Sequence, residues 1–234
     1  MLQIAIDGPG GAGKSSIARR IAKDREYLDV DTGALYRAIG LYAARLGLQP
    51  DDADKIIPHL PDINVSLAYD ADGVQQVYLN GENVSDAIRE NRISAYASAV
   101  SAVGAVRSFL LQTQRGLAQT NNVIMDGRDI GTVILPDAQV KIFLTAEDTV
   151  RAKRRMLELE QKGEHVALED ILEQIRKRDL ADSTRKIAPL KPAPDAVTLD
   201  CTALDFEQSV AAVKRIIAEK LAAPDPSRNV QEKR

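Results

Sequence analysis

The sequence predicts an α/β fold, a parallel sheet flanked by helices, and three observations carry that reading. Short apolar runs rich in β-formers stand at residues 2–6, 27–30, 122–125, 140–144 and 196–199, each too short for a helix. Between most of them lie segments with apolar residues at helical spacing, so strand and helix alternate as in parallel sheets joined by crossover helices. A glycine-rich loop, Gly8-Pro9-Gly10-Gly11-Ala12-Gly13-Lys14-Ser15, joins the first run to the first helical segment. It fits Gly-x-x-x-x-Gly-Lys-Ser, the phosphate-binding pattern called Walker A.

The first element, Leu2-Gln3-Ile4-Ala5-Ile6, reads as a short buried strand. The loop after it combines Gly8, Pro9, Gly10, Gly11, Ala12 and Gly13, whose backbone N–H groups can converge on phosphate oxygens with few side chains in the way. Lys14 is placed to reach the β- and γ-phosphates of a nucleoside triphosphate, and the Ser15 hydroxyl to hold Mg²⁺; Ser16 continues into the helix. Ligands of parallel sheets sit at the carboxyl ends of the strands, which points to Asp7, Asp31, Asp126 and Thr145. Three carboxylates among those positions favour a metal-phosphate site. Val123-Ile124-Met125-Asp126 is similar to a Walker B strand, whose carboxylate positions Mg²⁺ through water. Beyond it Asp126-Gly127-Arg128-Asp129-Ile130-Gly131-Thr132 packs charges and flexible positions where a fold alone needs only a turn, so this is read as a binding loop.

Between residues 62 and 85 the period changes to alternation. Ile63-Asn64-Val65-Ser66-Leu67 and Gln76-Val77-Tyr78-Leu79 flank Asp70-Ala71-Asp72-Gly73, which predicts an antiparallel hairpin. Asn80-Gly81-Glu82 signals another turn, and residues 84–89 are expected to open a helix. This segment reads as a lobe inserted in the α/β core at about 62–92. Helical spacing resumes over 93–117, 147–161 and 168–178, and Arg178-Asp179-Leu180-Ala181-Asp182-Ser183-Thr184-Arg185 is read as leaving the helical pattern. The end, 223–234, with Pro224 and Pro226 and a charged finish, is expected to be poorly ordered.

Arginine recurs at element ends and on helices: Arg37, Arg107, Arg115, Arg128, Arg151, Arg154, Arg155, Arg178 and Arg185. Planar guanidinium forks suit phosphate, and bringing two phosphorylated substrates together requires several of them. Glu147 precedes Arg151 by four residues and Arg154 precedes Glu158 by four, so solvated ion pairs on that helix are the competing reading.

At 234 residues the chain is expected to be one domain, 1–222, with a large core. A net charge of -3 argues against nucleic acid as the main partner. A single cysteine, Cys201, excludes an internal disulfide framework and fits a reducing compartment. His59 and His165 sit in no ligand cluster. No apolar run approaches the roughly 18 residues of a membrane span, and Met1-Leu2-Gln3-Ile4 runs straight into the first strand. A soluble, monomeric, cytoplasmic protein without nucleic-acid or membrane partners is the expectation.

In these motifs the chain resembles the bacterial cytidylate kinase family. The resemblance rests on the phosphate loop, Asp31-Thr32-Gly33-Ala34-Leu35-Tyr36-Arg37, the segment from Ala97-Ser98 to Val106-Arg107, the Asp126 to Thr132 loop, Pro136-Asp137-Ala138 with Lys141-Ile142-Phe143-Leu144, and the stretch from Arg178 to Leu190. It implies a three-layer P-loop kinase fold with an inserted monophosphate-binding lobe and a short lid at about 150–186, using ATP and Mg²⁺ to phosphorylate CMP and dCMP. It further implies that Ser98, Arg107 and Asp129 contact cytosine, in keeping with the N4 donor and the N3 and O2 acceptors of that base. Arg37, Arg128 and Arg185 would hold the acceptor phosphate, and Arg178 with Asp182 the sugar hydroxyls. Arg151, Arg154 and Arg155 would approach ATP from the lid, and Lys14, Arg128, Arg154 and Arg155 would serve the transfer itself. Competing readings are a P-loop kinase for UMP, AMP or an alcohol, a GTP switch, and a nucleic-acid-binding ATPase. The GTP switch lacks an Asn-Lys-x-Asp motif here, and the ATPase is disfavoured by acidic charge and few aromatics.

Overall fold

A computed structural model describes residues 1–161 and 163–223. In chain order the elements are β1 (Gln3–Asp7), α1 (Lys14–Arg25), β2 (Leu28–Asp31), α2 (Thr32–Arg45), β3 (Val65–Tyr69), β4 (Gln75–Leu79), β5 (Glu82–Asn83), α3 (Ile93–Ser101), α4 (Gly104–Thr120), β6 (Val123–Gly127), β7 (Val140–Thr145), α5 (Asp148–Glu160), α6 (Leu168–Thr184), β8 (Val197–Asp200) and α7 (Phe206–Ala222).

Five strands form a parallel sheet in the order β2-β6-β1-β7-β8. Its middle strands are buried on both faces, which is why they read as unbroken apolar runs. Successive side chains point to opposite faces. Ile4, Ile6, Ile124 and Ile142 therefore pack with Ile17 and Ile21 of α1 and Val213 and Ile217 of α7, while Ala5, Met125 and Val30 pack on the other face with Ala118 of α4 and Ile134. Register sets Asp7 beside Gly127 and Asp31 beside Asp126, so the carboxyl ends of β1, β2 and β6 meet along one edge.

The inserted lobe is a second, antiparallel sheet, β3-β4-β5, as the alternating pattern predicts. The Asp70 side chain closes its tight turn by accepting from the Asp72 and Val74 amides. The lobe shares a core with α2, α3 and α4, including Leu35, Ile39, Val77, Leu79, Ile88, Ile93 and Leu110. It also covers the outer edge of β2. Gln75 accepts from the Asp31 amide at 3.0 Å and donates to the Asp31 carbonyl at 3.3 Å, and Tyr69 Oη donates to the Asp29 carbonyl at 2.9 Å. Helices α5 and α6 pack as a separate hairpin around Ala152, Leu159 and Ile171.

Three local expectations are corrected. Residues 84–89 do not open a helix; they hold one 3₁₀ turn, Ala87–Arg89, before α3. Residues 93–117 are two helices, α3 and α4, meeting at 95° across an extended Val103, so that α3 packs on α2 while α4 lies along the sheet. Residues 178–184 remain helical: α6 runs to Thr184, with Asp182 on its buried side. The expected tail falls outside the described residues from 224 onward; Ala223 directly follows α7. No single helix among the described residues is long and apolar enough to cross a membrane.

Candidate active site

The phosphate loop is set by backbone packing. Gly8 adopts φ +149°, and a Cβ there would stand 1.9 Å from the Leu144 carbonyl oxygen, so the loop leaves β1 pressed against β7 in a way only glycine permits. Gly13 (φ +94°) precedes α1 without a side-chain cap, leaving the first-turn amides directed at whatever anion occupies the loop. Lys14 is buried and folds back over the loop, Nζ donating to the Pro9 carbonyl at 2.8 Å. Burial, then the nearby Arg128 charge, holds its pKa below that of an ordinary lysine.

Beside the loop, Ser15 Oγ donates to Asp126 Oδ2 at 2.8 Å. Among the described residues Asp126 Oδ1 is buried without a hydrogen-bond partner, and burial, followed by the neighbouring Asp31 charge, raises this carboxyl well above the usual range. An unpartnered buried carboxylate oxygen next to a serine hydroxyl is the donor set a hard divalent cation takes when phosphates complete its shell, so these two residues fit Mg²⁺. Among the described residues no group of three or more His, Cys, Asp or Glu could hold a metal alone. The other strand-end carboxylates are already engaged: Asp31 caps α2 by accepting from the Ala34 amide, and Asp7 accepts from the Ile130 and Gly131 amides.

Opposite the loop lies a basin built from side chains. Asp129 forms a buried ion pair with Arg107 and accepts from Arg185 Nη2 at 3.3 Å. Both arginines also reach Ser101, Arg107 through the carbonyl and Arg185 through the hydroxyl, each at 3.2 Å. The Arg107 guanidinium lies 5.5 Å from the centre of the Tyr36 ring. Burial raises the Asp129 pKa, opposed by the two guanidiniums. Arg128 Nε donates to Asp182 Oδ2 at 2.9 Å, and Arg178 Nε stands 3.9 Å from the same oxygen. Burial works to raise the Asp182 pKa, but Arg128 and Arg178 together hold it below the usual range. Arg128 Nη2 and Arg178 Nη1 approach the loop itself, 3.3 Å and 3.9 Å from where a Cβ on Gly10 would stand. Arg178 is lowered to about 10 by burial and by the charge of Arg128. Arg37, lowered to about 10 chiefly by burial, donates to the Ile88 carbonyl at 3.1 Å and to Ser94 Oγ at 3.0 Å.

The arginines of α5 divide. Arg151 is buried against the loop, donating to the Gly10 carbonyl at 3.0 Å and pairing with Asp179 at 2.7 Å. Arg154 rests on the carbonyls of Cys201 and Leu204, at 3.0 and 3.3 Å, beyond the end of β8. Arg155 donates to Asn91 Oδ1 at 3.1 Å, linking α5 to the segment that precedes α3. Arg115 is withdrawn from the phosphate-binding group: its guanidinium clamps the carbonyls of Val133 and Ile134.

Lys14, Arg128 and Arg178 thus converge on the loop, with Arg151 of α5 bonded to its Gly10 carbonyl. Arg107, Asp129 and Arg185 form a neighbouring cluster. Ser98 is half-buried on α3, its carbonyl accepting from Ser101 Oγ at 2.8 Å. The sequence singled out neither Ser94 nor Ser101, yet both hold arginines of the basin. Ser94, Ser98 and Ser101 are spaced four and three apart, one face of a helix, and that spacing was the available signal. Asn91 carried no comparable signal.

The cytidylate kinase family model matches residues 4–219. The chain belongs to the cytidylate kinase family. The cytidylate kinase of Caldicellulosiruptor bescii is 49% identical over 209 residues, 88% of this chain and 91% of the relative. Those of Syntrophotalea carbinolica, 44% identical over 97% of this chain and 96% of the relative, and Lactobacillus gasseri, 47% identical over 94% and 95%, extend the likeness along nearly the whole length. The described cytidylate kinase fold and the matched span coincide, both running from β1 into α7.

Proposed function

We propose that this member of the family transfers the γ-phosphoryl group of ATP to the phosphate of CMP or dCMP, giving ADP with CDP or dCDP. The observation that carries the reading is the convergence of Lys14, Arg128 and Arg178 on the phosphate loop from three separate elements. Arg128 and Arg178 sit close enough to Lys14 to help hold its pKa down, and Arg128 does the same to Arg178; phosphate oxygens would relieve that repulsion.

The backbone of Gly8, Gly10, Gly11, Ala12 and Gly13, with Lys14, would cradle the donor phosphates, and Ser15 and Asp126 would hold Mg²⁺. The cation, when bound, neutralises charge on the β- and γ-phosphates. Arg151 would cover the donor from the lid, and Arg154, resting beyond β8, would meet the nucleoside end of ATP. Arg154 would serve the transfer itself only after leaving the Cys201 and Leu204 carbonyls. Arg155 would join lid to lobe and shield the transferring group. Arg37, Arg128 and Arg185 would grip the acceptor phosphate, Arg178 and Asp182 the sugar side, and Ser98, Arg107 and Asp129 the cytosine edge. No general base is needed, because a phosphate monoester with a second pKa near ~6 is largely ionised at neutral pH. Positioning and charge stabilisation supply the rate.

Phosphorus NMR of the protein with ATP, Mg²⁺ and CMP tests this reading: CDP and ADP should appear in equal amounts. Formation of ADP and inorganic phosphate alone would contradict it.

A further inference from the structure

Asp7 ends β1 and directly precedes the phosphate loop, yet its side chain serves the opposite side of the site. The carboxylate is buried, with Oδ1 accepting from the Ile130 amide at 2.7 Å and Oδ2 from the Gly131 amide at 2.8 Å. Those amides immediately follow Arg128 and Asp129. A Cβ on Gly131 would stand 3.1 Å from Lys141 Cδ, so the glycine leaves room for the Lys141 side chain packed beside this loop. Among the described residues no lysine or arginine pairs with Asp7 at ion-pair distance, so its lone pairs are directed to the loop.

The residue type is informative. The two adjacent N–H groups go to different oxygens of the one side chain, an arrangement a carboxylate supplies and an amide, with a single acceptor oxygen, does not. Keeping a charge in so dry a place is costly: burial lifts the Asp7 pKa to about 6 even against the two amide bonds. Closing an ordinary turn would not require that cost.

We propose that Asp7 is a positioning residue for phosphoryl transfer: its carboxylate ties the root of the donor loop to the loop bearing Arg128 and Asp129, and so sets the gap between the two reacting phosphates. The inference rests on the reading of Arg128 and Asp129 as acceptor-side groups. Asp7 touches no substrate. It acts through the Ile130 and Gly131 amides, and it couples two strands already in register at Asp7 and Gly127. Transfer is steeply sensitive to that gap, since a misplacement of about 1 Å costs about a hundredfold.

The test is Asp7→Asn, which keeps the size and turns one acceptor into a donor facing a backbone N–H. Thermal unfolding, the affinity for a fluorescent ATP analogue and CMP kinetics are measured on the full chain. The expected result is a folded protein with ATP affinity preserved, the CMP KM raised, and kcat per ATP-binding site lowered about 10- to 100-fold. A merely structural role would lower ATP-binding capacity and transfer together. Either that parallel loss or wild-type transfer overturns the inference. If Asp7→Asn does not fold, Asp7→Glu carries the same test, because it keeps both acceptors and displaces them by one methylene. Arg128→Ala, assayed in parallel, separates the two levels. Normal CMP kinetics in Arg128→Ala would sink the acceptor-side reading, whereas impairment there with normal Asp7 variants would sink this inference alone.

Discussion

The phosphate loop and the basin facing it bind by opposite means. The loop is backbone: consecutive residues, glycines where a Cβ would collide, amides directed inward at the start of α1, and one lysine folded over the top. The basin is side chain: Arg37 from α2, Ser101 from α3, Arg107 from α4, Arg128 and Asp129 from the loop after β6, Arg178 and Asp182 from α6, and Arg185 beyond it. A backbone cradle recognises any triphosphate, because its donors are the same whatever the sequence. A side-chain basin can be selective, and its parts must be brought together by the fold.

That difference orders the expected effects of mutation. Lys14→Ala removes the charge proposed to face the transferred group and should lower kcat by on the order of 10²- to 10³-fold in a coupled ADP-release assay, as loss of a preorganised stabilising group does elsewhere. Turnover near wild type would remove Lys14 from the transfer. Arg128→Ala opens the basin and leaves Asp182 buried without its closest partner. The kcat/KM for CMP should fall about 100-fold, while titration with a fluorescent ATP analogue shows the donor side intact. Equal loss of ATP and CMP binding would mean that the two halves are not separable. Arg155→Ala breaks a part-exposed link to Asn91 and a surface ion pair with Glu158, each worth about 1 kcal/mol or less, and a change of a few-fold in kcat is the expected reading.

The smallest effect lies outside both regions, at Asp29 on β2. Burial raises its pKa to about 7, opposed by Arg19. The folded protein therefore binds a proton that the unfolded chain releases, and this group's contribution is full below about 3.8 and lost as pH rises through about 7. Asp29→Asn should raise Tm relative to wild type at pH 8, with the difference closing toward pH 4. A lower Tm for the variant at pH 8 would show that the Arg19 pair outweighs the burial.

The same contrast explains what could be read in advance. The loop, its strand and its helix were legible because they are contiguous and each residue answers a local demand. The lobe hairpin was legible because a sheet with one buried face alternates, as β4 does. The break between α3 and α4 was not, since apolar spacing runs on through Ser101-Ala102-Val103-Gly104 with no proline to mark it. The end of α6 misled for a related reason. Arg178, Asp179 and Asp182 are polar residues turned into a charged site, and such a helix face has no apolar stripe to betray it. Family resemblance named most of the basin residues, Asp182 among them, but not the pairings that hold them: Asp182 with Arg128, Ser94 with Arg37 and Ser101 with Arg185. Spacing puts Ser94, Ser98 and Ser101 on one helix face, but which arginine each one meets is a property of the fold.

A comparison of acceptors with ATP held saturating tests the account most directly. Steady-state kcat/KM for CMP, dCMP, UMP and AMP should rank CMP and dCMP first, with Asp129→Asn narrowing their lead over UMP. UMP or AMP matching CMP in the wild-type protein would contradict the assignment of Ser98, Arg107 and Asp129 to cytosine.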